Sequence, residues 1–193
     1  MEKLTAADLY TLEAYARERP AFRARVLAHK QPRTVHLGAH MTLIFEDRLT
    51  IQYQVQEMLR IERIFDAAGI QDELEAYNPL IPDGSNLKAT LMIEYADPEE
   101  RARRLVQLHG VEHRIALQLA DQRPVYAVAD EDLGRSTDDK TSAVHFLRFE
   151  LTAAHVAELK RGADAAVCID HAAYRARTAL AAATLEALAA DLA

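Results

Sequence analysis

The sequence predicts an α+β fold, with a mostly antiparallel sheet and packed helices in a single domain over residues 1–193. Helical and strand-like segments follow one another without the regular strand–helix alternation of a parallel sheet. Several strand-like segments are close enough in sequence to form hairpins. The chain has 193 residues, of which 50% are hydrophobic and 27% charged, so it is long enough to bury one sizeable core.

The first third of the chain predicts two helices, a hairpin and a long helix. Thr5 precedes the first helix, and Pro20 begins a second. The stretch RTVHLGAHMTLIFED alternates apolar and polar residues on both sides of Gly38, which predicts a hairpin. Asp47 is placed to cap the long helix, which we expect to end at Gly69.

The middle of the chain predicts two further helices, a long strand and a second hairpin. The short helix QDELEAY is stopped by Asn78-Pro79, and LKATLMIEY alternates as a strand does. Asp97-Pro98 begins the next helix, which ends near Gly110. VEHRIALQL and RPVYAVA then predict the two strands of the hairpin.

The last third begins with DEDLGRSTDDKTS, the longest polar stretch, for which we expect a mobile loop. VHFLRFEL predicts a strand, and Thr152 and Gly162 bound the helix that follows it. AAVCIDH predicts another strand. YRARTAL alternates as a strand does although its alanines also suit a helix, and we favour a second strand. A final helix is expected near ATLEALAADL.

Charge and composition exclude several classes of protein. The net charge is −7, from 30 acidic and 23 basic residues, which disfavours nucleic-acid and anionic-membrane partners because these are bound by clustered Lys and Arg. Cys168 is the one cysteine, so neither an intrachain disulfide nor a cysteine-based metal cage is possible. The segment MEKLTAADLY lacks an apolar run of signal-peptide length, and no window has the ~18 apolar residues of a membrane span. We therefore expect a cytoplasmic protein.

The stretch YQVQEMLRIERIF, in the long predicted helix, mixes polar residues with apolar ones. At about 100° of rotation per residue, the apolar arc of the helix consists of Ile51, Val55, Met58, Leu59, Ile61 and Phe65. Glu62 and Gln54 fall inside this arc, and Glu57 lies at its flank. Because a buried carboxylate is costly unless it is paired, we expect a partner for Glu62 and hydrogen bonds for Gln54.

Two interpretations of these polar residues remain open. They form either a satisfied network that fixes one packing arrangement or the floor of a polar pocket that binds a ligand. The ligand-binding candidates are Gln54, Glu57, Arg60, Glu62 and Lys88. The helix residues predicted to face solvent are Gln52, Gln56, Arg60 and Arg63.

A metal site is a further hypothesis, because carboxylates together with imidazoles suit iron, manganese or zinc. The candidate ligands are His40, Glu57, Glu62 and His145, with Glu46 and Glu94 on neighbouring strands. None of the eight histidines lies in a closed zinc pattern. His145 shares strand parity with Leu147 and Phe149, which favours a buried, hydrogen-bonded histidine instead of a ligand.

Three long runs resemble a bacterial family known as domain of unknown function 3501. They are HMTLIFEDRLTIQYQVQEMLRIERI, ELEAYNPLIPDGSNLKATLMIEY and DDKTSAVHFLRFEL, and the resemblance extends from KLTAADL to the closing ALAADL. The family motifs fall on His40, Glu46, Arg48, Tyr53, Gln54, Gln56, Glu57, Arg60, Glu62, Arg63, Asn78, Pro82, Asn86, Lys88, Lys140, Ser142 and His145. One departure is HAAY at residues 171–174, where the family has His-Pro-Ala-Tyr, so a turn-setting proline is missing.

The resemblance supplies no catalytic residue and no cofactor. It implies a redox or peroxide-stress context, because genes of the family lie beside those for rubrerythrin-like di-iron proteins and iron–sulfur oxidoreductases. Our first hypothesis is a non-catalytic accessory or interaction protein of such a system, with rubrerythrin-like or iron–sulfur proteins as partners and the solvent face of the long helix as the contact surface. The alternative is an enzyme that binds a metal or small ligand in a buried Glu/His/Gln pocket. A third possibility is a purely structural network in a protein that functions through its loops.

Overall fold

The computed structural model describes residues 1–129 and 140–193. Its helices are α1 (Leu12–Lys30), α2 (Arg48–Glu62), α3 (Ala67–Tyr77), α4 (Pro98–Gln107), α5 (Ala153–Lys160) and α6 (Ala182–Ala190). Its strands are β1 (Thr34–His36), β2 (Met41–Glu46), β3 (Asn86–Ile93), β4 (Ile115–Leu119), β5 (Val125–Tyr126), β6 (Val128–Ala129), β7 (Val144–Glu150), β8 (Ala165–His171) and β9 (Tyr174–Ala179). Most of the polar stretch predicted to be a mobile loop lies outside the described residues.

The predicted α+β class with antiparallel pairing is confirmed, but the described strands form two sheets instead of one. The larger sheet has the order β1-β2-β3-β7-β6, and the smaller has the order β5-β4-β8-β9. Every pair of neighbouring strands is antiparallel. The predicted hairpins β1–β2 and β8–β9 are both present, and the second closes through Ala172-Ala173 without the family's proline.

One short segment passes from the smaller sheet to the larger. β5 pairs with β4, β6 pairs with β7, and Ala127 lies between β5 and β6. The predicted single hairpin partner RPVYAVA is therefore divided between two sheets.

Side chains link the sheets at their other edges. Tyr174 Oη of β9 donates a hydrogen bond to Leu37 O at 2.6 Å, and Thr178 Oγ1 donates to His36 O at 2.8 Å. Gly38 beside this contact has a φ of 70°, and a Cβ there would lie 2.5 Å from Tyr174 Oη. The β1–β2 turn therefore requires glycine both for its backbone conformation and for the space that Tyr174 occupies.

The main core lies between the two sheets. Leu43 and Leu91 of the larger sheet and Leu117 and Val167 of the smaller are fully buried in the same hydrophobic cluster. Alternating residues of each strand supply this core, as the period of two in the sequence predicts. The assignment of residues 1–193 to a single domain stays a prediction. A single domain requires one shared core, and both sheets contribute residues to this core.

Helix α1 corrects the prediction of two amino-terminal helices. It begins after Thr11, whose side chain accepts from Ala14 N, and it continues through Pro20 to Lys30. Only a three-residue 3₁₀ turn follows Thr5. A proline inside a helix removes one backbone hydrogen bond, and the packing of the buried residue Phe22 against α2 offsets that loss.

Helix α2 ends earlier than predicted. Asp47 caps it as expected, but the last helical residue is Glu62, and Arg63 adopts a left-handed conformation with φ of 56°. Gly69 lies inside α3, which Asp66 caps. Among residues 1–129 and 140–193, no helix has both the length and the apolar composition required to cross a bilayer.

Candidate functional site

The polar residues of α2 are buried in a different pattern from the one predicted. Glu62 is exposed and Gln54 is half-buried, whereas Gln56 is fully buried. The prediction from helical periodicity assumed that other elements cover the helix along its whole length. In the structure α2 ends at Glu62, and its last turn projects into solvent. The predicted pocket around Gln54 and Glu62 therefore lacks a buried centre.

Gln56 is buried because the amino-terminal segment crosses the face of α2 that was predicted to be solvated. Its Oε1 accepts from Tyr10 N at 2.9 Å, and its Nε2 donates to Tyr10 O at 3.1 Å. Gln52 Nε2 donates to Asp8 O at 2.6 Å, and Arg48 forms an ion pair with the Asp8 carboxylate. Of the predicted contact surface, Gln52 and Gln56 hold this segment, and only the two arginines remain exposed.

Glu57 is the centre of an ionic network between α1 and α2. Its carboxylate accepts from Arg19 Nε at 2.7 Å and Nη2 at 2.8 Å, from Tyr15 Oη at 2.6 Å, and from Arg60 Nη2 at 3.1 Å. The hydrogen bonds from Arg19, joined by those from Tyr15 and Arg60, outweigh burial and lower the pKa of Glu57 to about 2. Burial, together with the hydrogen bond to this carboxylate, raises the pKa of Tyr15.

This network favours the structural interpretation of Glu57. A carboxylate that already accepts from two arginines and a tyrosine has little capacity left for a ligand. Its side chain is 13% exposed, and its partners Arg19 and Arg60 are 34% and 40% exposed. The structural interpretation therefore fits Glu57 and Arg60 as a tie between two helices. Lys88, the remaining ligand candidate, lies on β3 between Glu46 and Arg148 of the neighbouring strands.

The four predicted metal ligands lie in separate surroundings. The His40 ring stacks on Tyr95 with centroids 4.2 Å apart. Glu57 is held by α1, and Glu62 is exposed. His145 is fully buried in the core. Within the described ranges no three His, Cys, Asp or Glu side chains gather closely enough to hold a metal ion, so the set predicted from the sequence is not assembled there.

His145 belongs to a buried polar group that the sequence did not reveal. Thr141 Oγ1 lies 2.7 Å from His145 Nε2 and donates to Glu112 Oε2 at 2.8 Å, while His145 Nε2 lies 3.0 Å from Ser142 O. Glu112, Thr141 and His145 are all at most 4% exposed. The prediction of a buried, hydrogen-bonded histidine is confirmed.

A second buried ionic group joins α1, α2 and α6 and was also missed. Arg33 Nη1 and Nη2 donate to the two carboxylate oxygens of Asp191 at 2.7 and 2.8 Å, and Asp47 Oδ2 lies 3.1 Å from Arg33 Nη2. His29 Nε2 lies 2.5 Å from the same Asp47 oxygen. Burial works to lower the pKa of Arg33, but the contacts with Asp191 and Asp47 outweigh it and raise the pKa. These residues are far apart in sequence, so no local pattern signals the group.

The turn between α2 and α3 presents apolar side chains to solvent. Phe65 is 79% exposed and Ile61 is 60% exposed. Arg60 and Arg63 are exposed beside them. We call Arg60, Ile61, Arg63 and Phe65 the α2–α3 tip. Sequence periodicity placed Ile61 and Phe65 in the core, and it gave no signal that this end of the helix is uncovered.

The tip has a defined backbone. Ile64 N donates to Leu59 O at 3.0 Å, which closes the end of α2 around the left-handed Arg63. The Ile64 side chain packs against the small core of α2 and α3. Asp66 Oδ1 then accepts from Gly69 N at 2.9 Å. Phe65 is thus held between two fixed residues, and its exposure follows from the geometry of the turn.

The fold and these sites define an α+β protein with two linked antiparallel sheets, a helical layer and an exposed apolar tip. The sequence profile of the family described as "Protein of unknown function (DUF3501)" matches residues 3–192, so the chain belongs to that family. It is also similar to a crystal structure described as a novel protein of unknown function from Burkholderia pseudomallei K96243. That structure is 53% identical, with a TM-score of 0.95 and 100% of both chains covered. No curated protein matches the chain.

Proposed function

We propose that this protein is a non-catalytic accessory protein that binds a protein partner through the α2–α3 tip. The observation that carries the proposal is the exposure of Phe65, at 79%, beside Ile61, at 60%. Burying one such side chain in a complex is worth about 1.5–3 kcal/mol. Aromatic residues and arginines dominate the binding energy of protein interfaces, and the tip contains both kinds.

The order of the turn supports a role in binding. A flexible backbone loses conformational entropy when it binds, whereas an ordered backbone loses less. Phe65 lies between the packed residue Ile64 and the capping residue Asp66, so its backbone position is already fixed. Arg63 has a left-handed conformation that is uncommon for a residue with a side chain, and this conformation directs the chain into the turn.

The tip indicates the chemistry of its partner. Two apolar side chains require an apolar pocket, and Arg63 beside them favours carboxylates at the rim of that pocket. The guanidinium of Arg60 is shared with Glu57. The redox context implied by the family makes rubrerythrin-like and iron–sulfur proteins the first partners to test, and a cytoplasmic location is part of this proposal. The metal- or ligand-binding enzyme remains an alternative, although no described group of three His, Cys, Asp or Glu side chains could hold a metal ion.

The test measures binding of a purified rubrerythrin-like protein and a purified iron–sulfur oxidoreductase from the native host by calorimetry. The variant Ile61→Ser/Phe65→Ser should weaken binding by roughly thirtyfold or more, as loss of an interface hot spot does. Val106→Ser is the matched control, because Val106 is 54% exposed on α4. This control should bind as the unsubstituted protein does.

Three results would overturn the proposal. The first is that neither redox protein binds, and the second is that the tip variant binds as tightly as the control. The third is that sedimentation shows the tip joining two copies of this chain. Far-ultraviolet circular dichroism and the unfolding midpoint should be the same for all variants. Substituting exposed residues has little effect on stability, so a loss of binding would report the interface itself.

A further inference from the structure

We propose a second binding surface, independent of the tip, that takes an acidic segment of a partner protein. It is the outer face of the smaller sheet, opposite the main core. We call Arg114, Ala116, Tyr126, Cys168 and Arg177 the open face. With two such surfaces the protein would connect two binding partners, and either surface can be tested without the other.

Strand register brings the residues of the open face together. Ala116 of β4 is paired with Tyr126 of β5 on one side and with Cys168 of β8 on the other. Cys168 is in turn paired with Arg177 of β9. These residues form one row across four strands, since paired residues point to the same side of a sheet. The small side chains in the middle make a trough between Tyr126 and Arg177.

The trough contains a pocket that is too small for a cofactor. Its volume is about 80 Å³, and its lining includes Arg114, Ala116, Tyr126, Cys168 and one carboxylate, Asp170. Sites for drug-sized ligands are usually about 300–1,000 Å³. A pocket of this size instead accommodates a single side chain, which is what docking of a protein segment requires. Tyr126 is 56% exposed at its edge and offers an aromatic surface to that segment.

The charges of the open face favour an acidic occupant. The carboxylate of Asp170 in the pocket lining is offset by an ion pair with Arg175 at 3.2 Å. By contrast, the side chains of Arg114 and Arg177 are exposed and have neither an ion pair nor a hydrogen bond with any described residue. Two unpaired guanidinium groups on a chain of net charge −7 mark a local reversal of charge. Guanidinium groups bind carboxylates through paired hydrogen bonds, so glutamate or aspartate on a partner fits this surface.

The test uses a fluorescein-labelled peptide of alternating glutamate and alanine, with the glutamine-for-glutamate peptide as control. Fluorescence anisotropy at low salt should show binding of the glutamate peptide alone, and added salt should weaken it. Cys168 is the one thiol of the chain and lies in the trough, so maleimide addition to it should slow when the peptide binds. The variant Arg114→Ser/Arg177→Ser should weaken binding about tenfold or more.

A matched control separates the open face from net charge. Arg17→Ser/Arg103→Ser removes the same charge from two other exposed arginines and should bind the peptide as the unsubstituted protein does. Equal binding of both peptides, equal loss in both double variants, or an unchanged rate at Cys168 would overturn the proposal. So would a dimer in which Cys168 is protected without peptide, because the occupant would then be a second copy of the chain.

Discussion

The side-chain amide of Gln56 is bound to both backbone polar groups of Tyr10, accepting at 2.9 Å and donating at 3.1 Å. These two hydrogen bonds satisfy the backbone N–H and C=O groups of Tyr10, which lies outside any helix or strand. They fix the amino-terminal segment against α2 and exclude water from a face of that helix that the sequence marks as polar. The stability of the helical layer therefore depends on one buried amide.

Gln56→Glu should lower the free energy of unfolding by about 2–4 kcal/mol, measured by urea denaturation at neutral pH. The substitution removes the donor to Tyr10 O and places a carboxylate oxygen beside that carbonyl, and leaving a buried group unsatisfied costs about 1–3 kcal/mol, more for a charged one. Gln54→Glu on the same helix is the control and should change stability little, because Gln54 is half-buried. Equal losses at both positions would contradict the role assigned to Gln56.

The Glu57 network predicts a specific dependence of stability on pH. The pKa of Glu57 is about 2 in the folded protein, below its ordinary value of 4.5. A carboxylate with a lowered folded pKa stabilises the fold when it is ionised, so its contribution is complete above its unfolded pKa and is lost as the pH falls towards the folded value. Glu57→Gln should therefore lower the free energy of unfolding at neutral pH. The difference between the variant and the unsubstituted protein should become smaller as the pH falls from 4.5 to about 2.

Glu62→Gln is the matched control for this pH experiment. Glu62 lies on the same helix but is exposed, and an exposed carboxylate contributes little to stability. The unfolding free energy of the Glu62→Gln variant should equal that of the unsubstituted protein at every pH. If Glu57→Gln and Glu62→Gln gave the same curve, the ionic tie between α1 and α2 would have no net energetic effect.

Arg63→Gly should raise the free energy of unfolding by about 0.5–1 kcal/mol. A residue with a side chain is strained at φ of 56°, and glycine adopts this conformation at no steric cost. Ile61→Gly lies within the last turn of the helix, is exposed, and should instead lower stability by roughly 0.5–1 kcal/mol. Opposite signs for the two glycine substitutions, measured by thermal or urea unfolding, would confirm where α2 ends. A loss at both positions would contradict it.

The buried pair of Arg33 and Asp191 predicts a strongly non-additive double-mutant cycle. Arg33→Met or Asp191→Leu alone leaves one buried charge without its partner and should cost about 3–5 kcal/mol. The combination Arg33→Met/Asp191→Leu removes both charges and should cost clearly less than the sum of the two. Additive losses would show that the two side chains act independently, despite their separation of 2.7 Å.

Local sequence signals predicted most of the secondary structure. Alternation predicted β2, β3 and β7, and the burial of β3 and β7 alternates in the same way. Capping residues gave the starts of α2, α4 and α5. The errors occurred where a neighbour distant in sequence overrode a local signal. Pro20 did not start a new helix, because α1 packs along α2 on both sides of it.

The candidate site was predicted less well than the fold, for a physical reason. A helical wheel gives the direction of each side chain but not what lies in that direction. Gln56 points to a face that the amino-terminal segment covers, and Glu62 points to a face that nothing described covers. The residues brought to Arg33 come from opposite ends of the chain, so no spacing in the sequence relates them.

The sequence by itself determined the α+β class and the hairpins β1–β2 and β8–β9, because short-range periodicity and turn signals act within a few residues. Three long runs of sequence also indicated the family. Only the tertiary structure decided which polar groups are buried, that the strands divide into two sheets, and that Phe65 and Ile61 remain exposed. Burial depends on the sum of contacts from segments far apart in the chain, and such contacts exist only once the chain has folded.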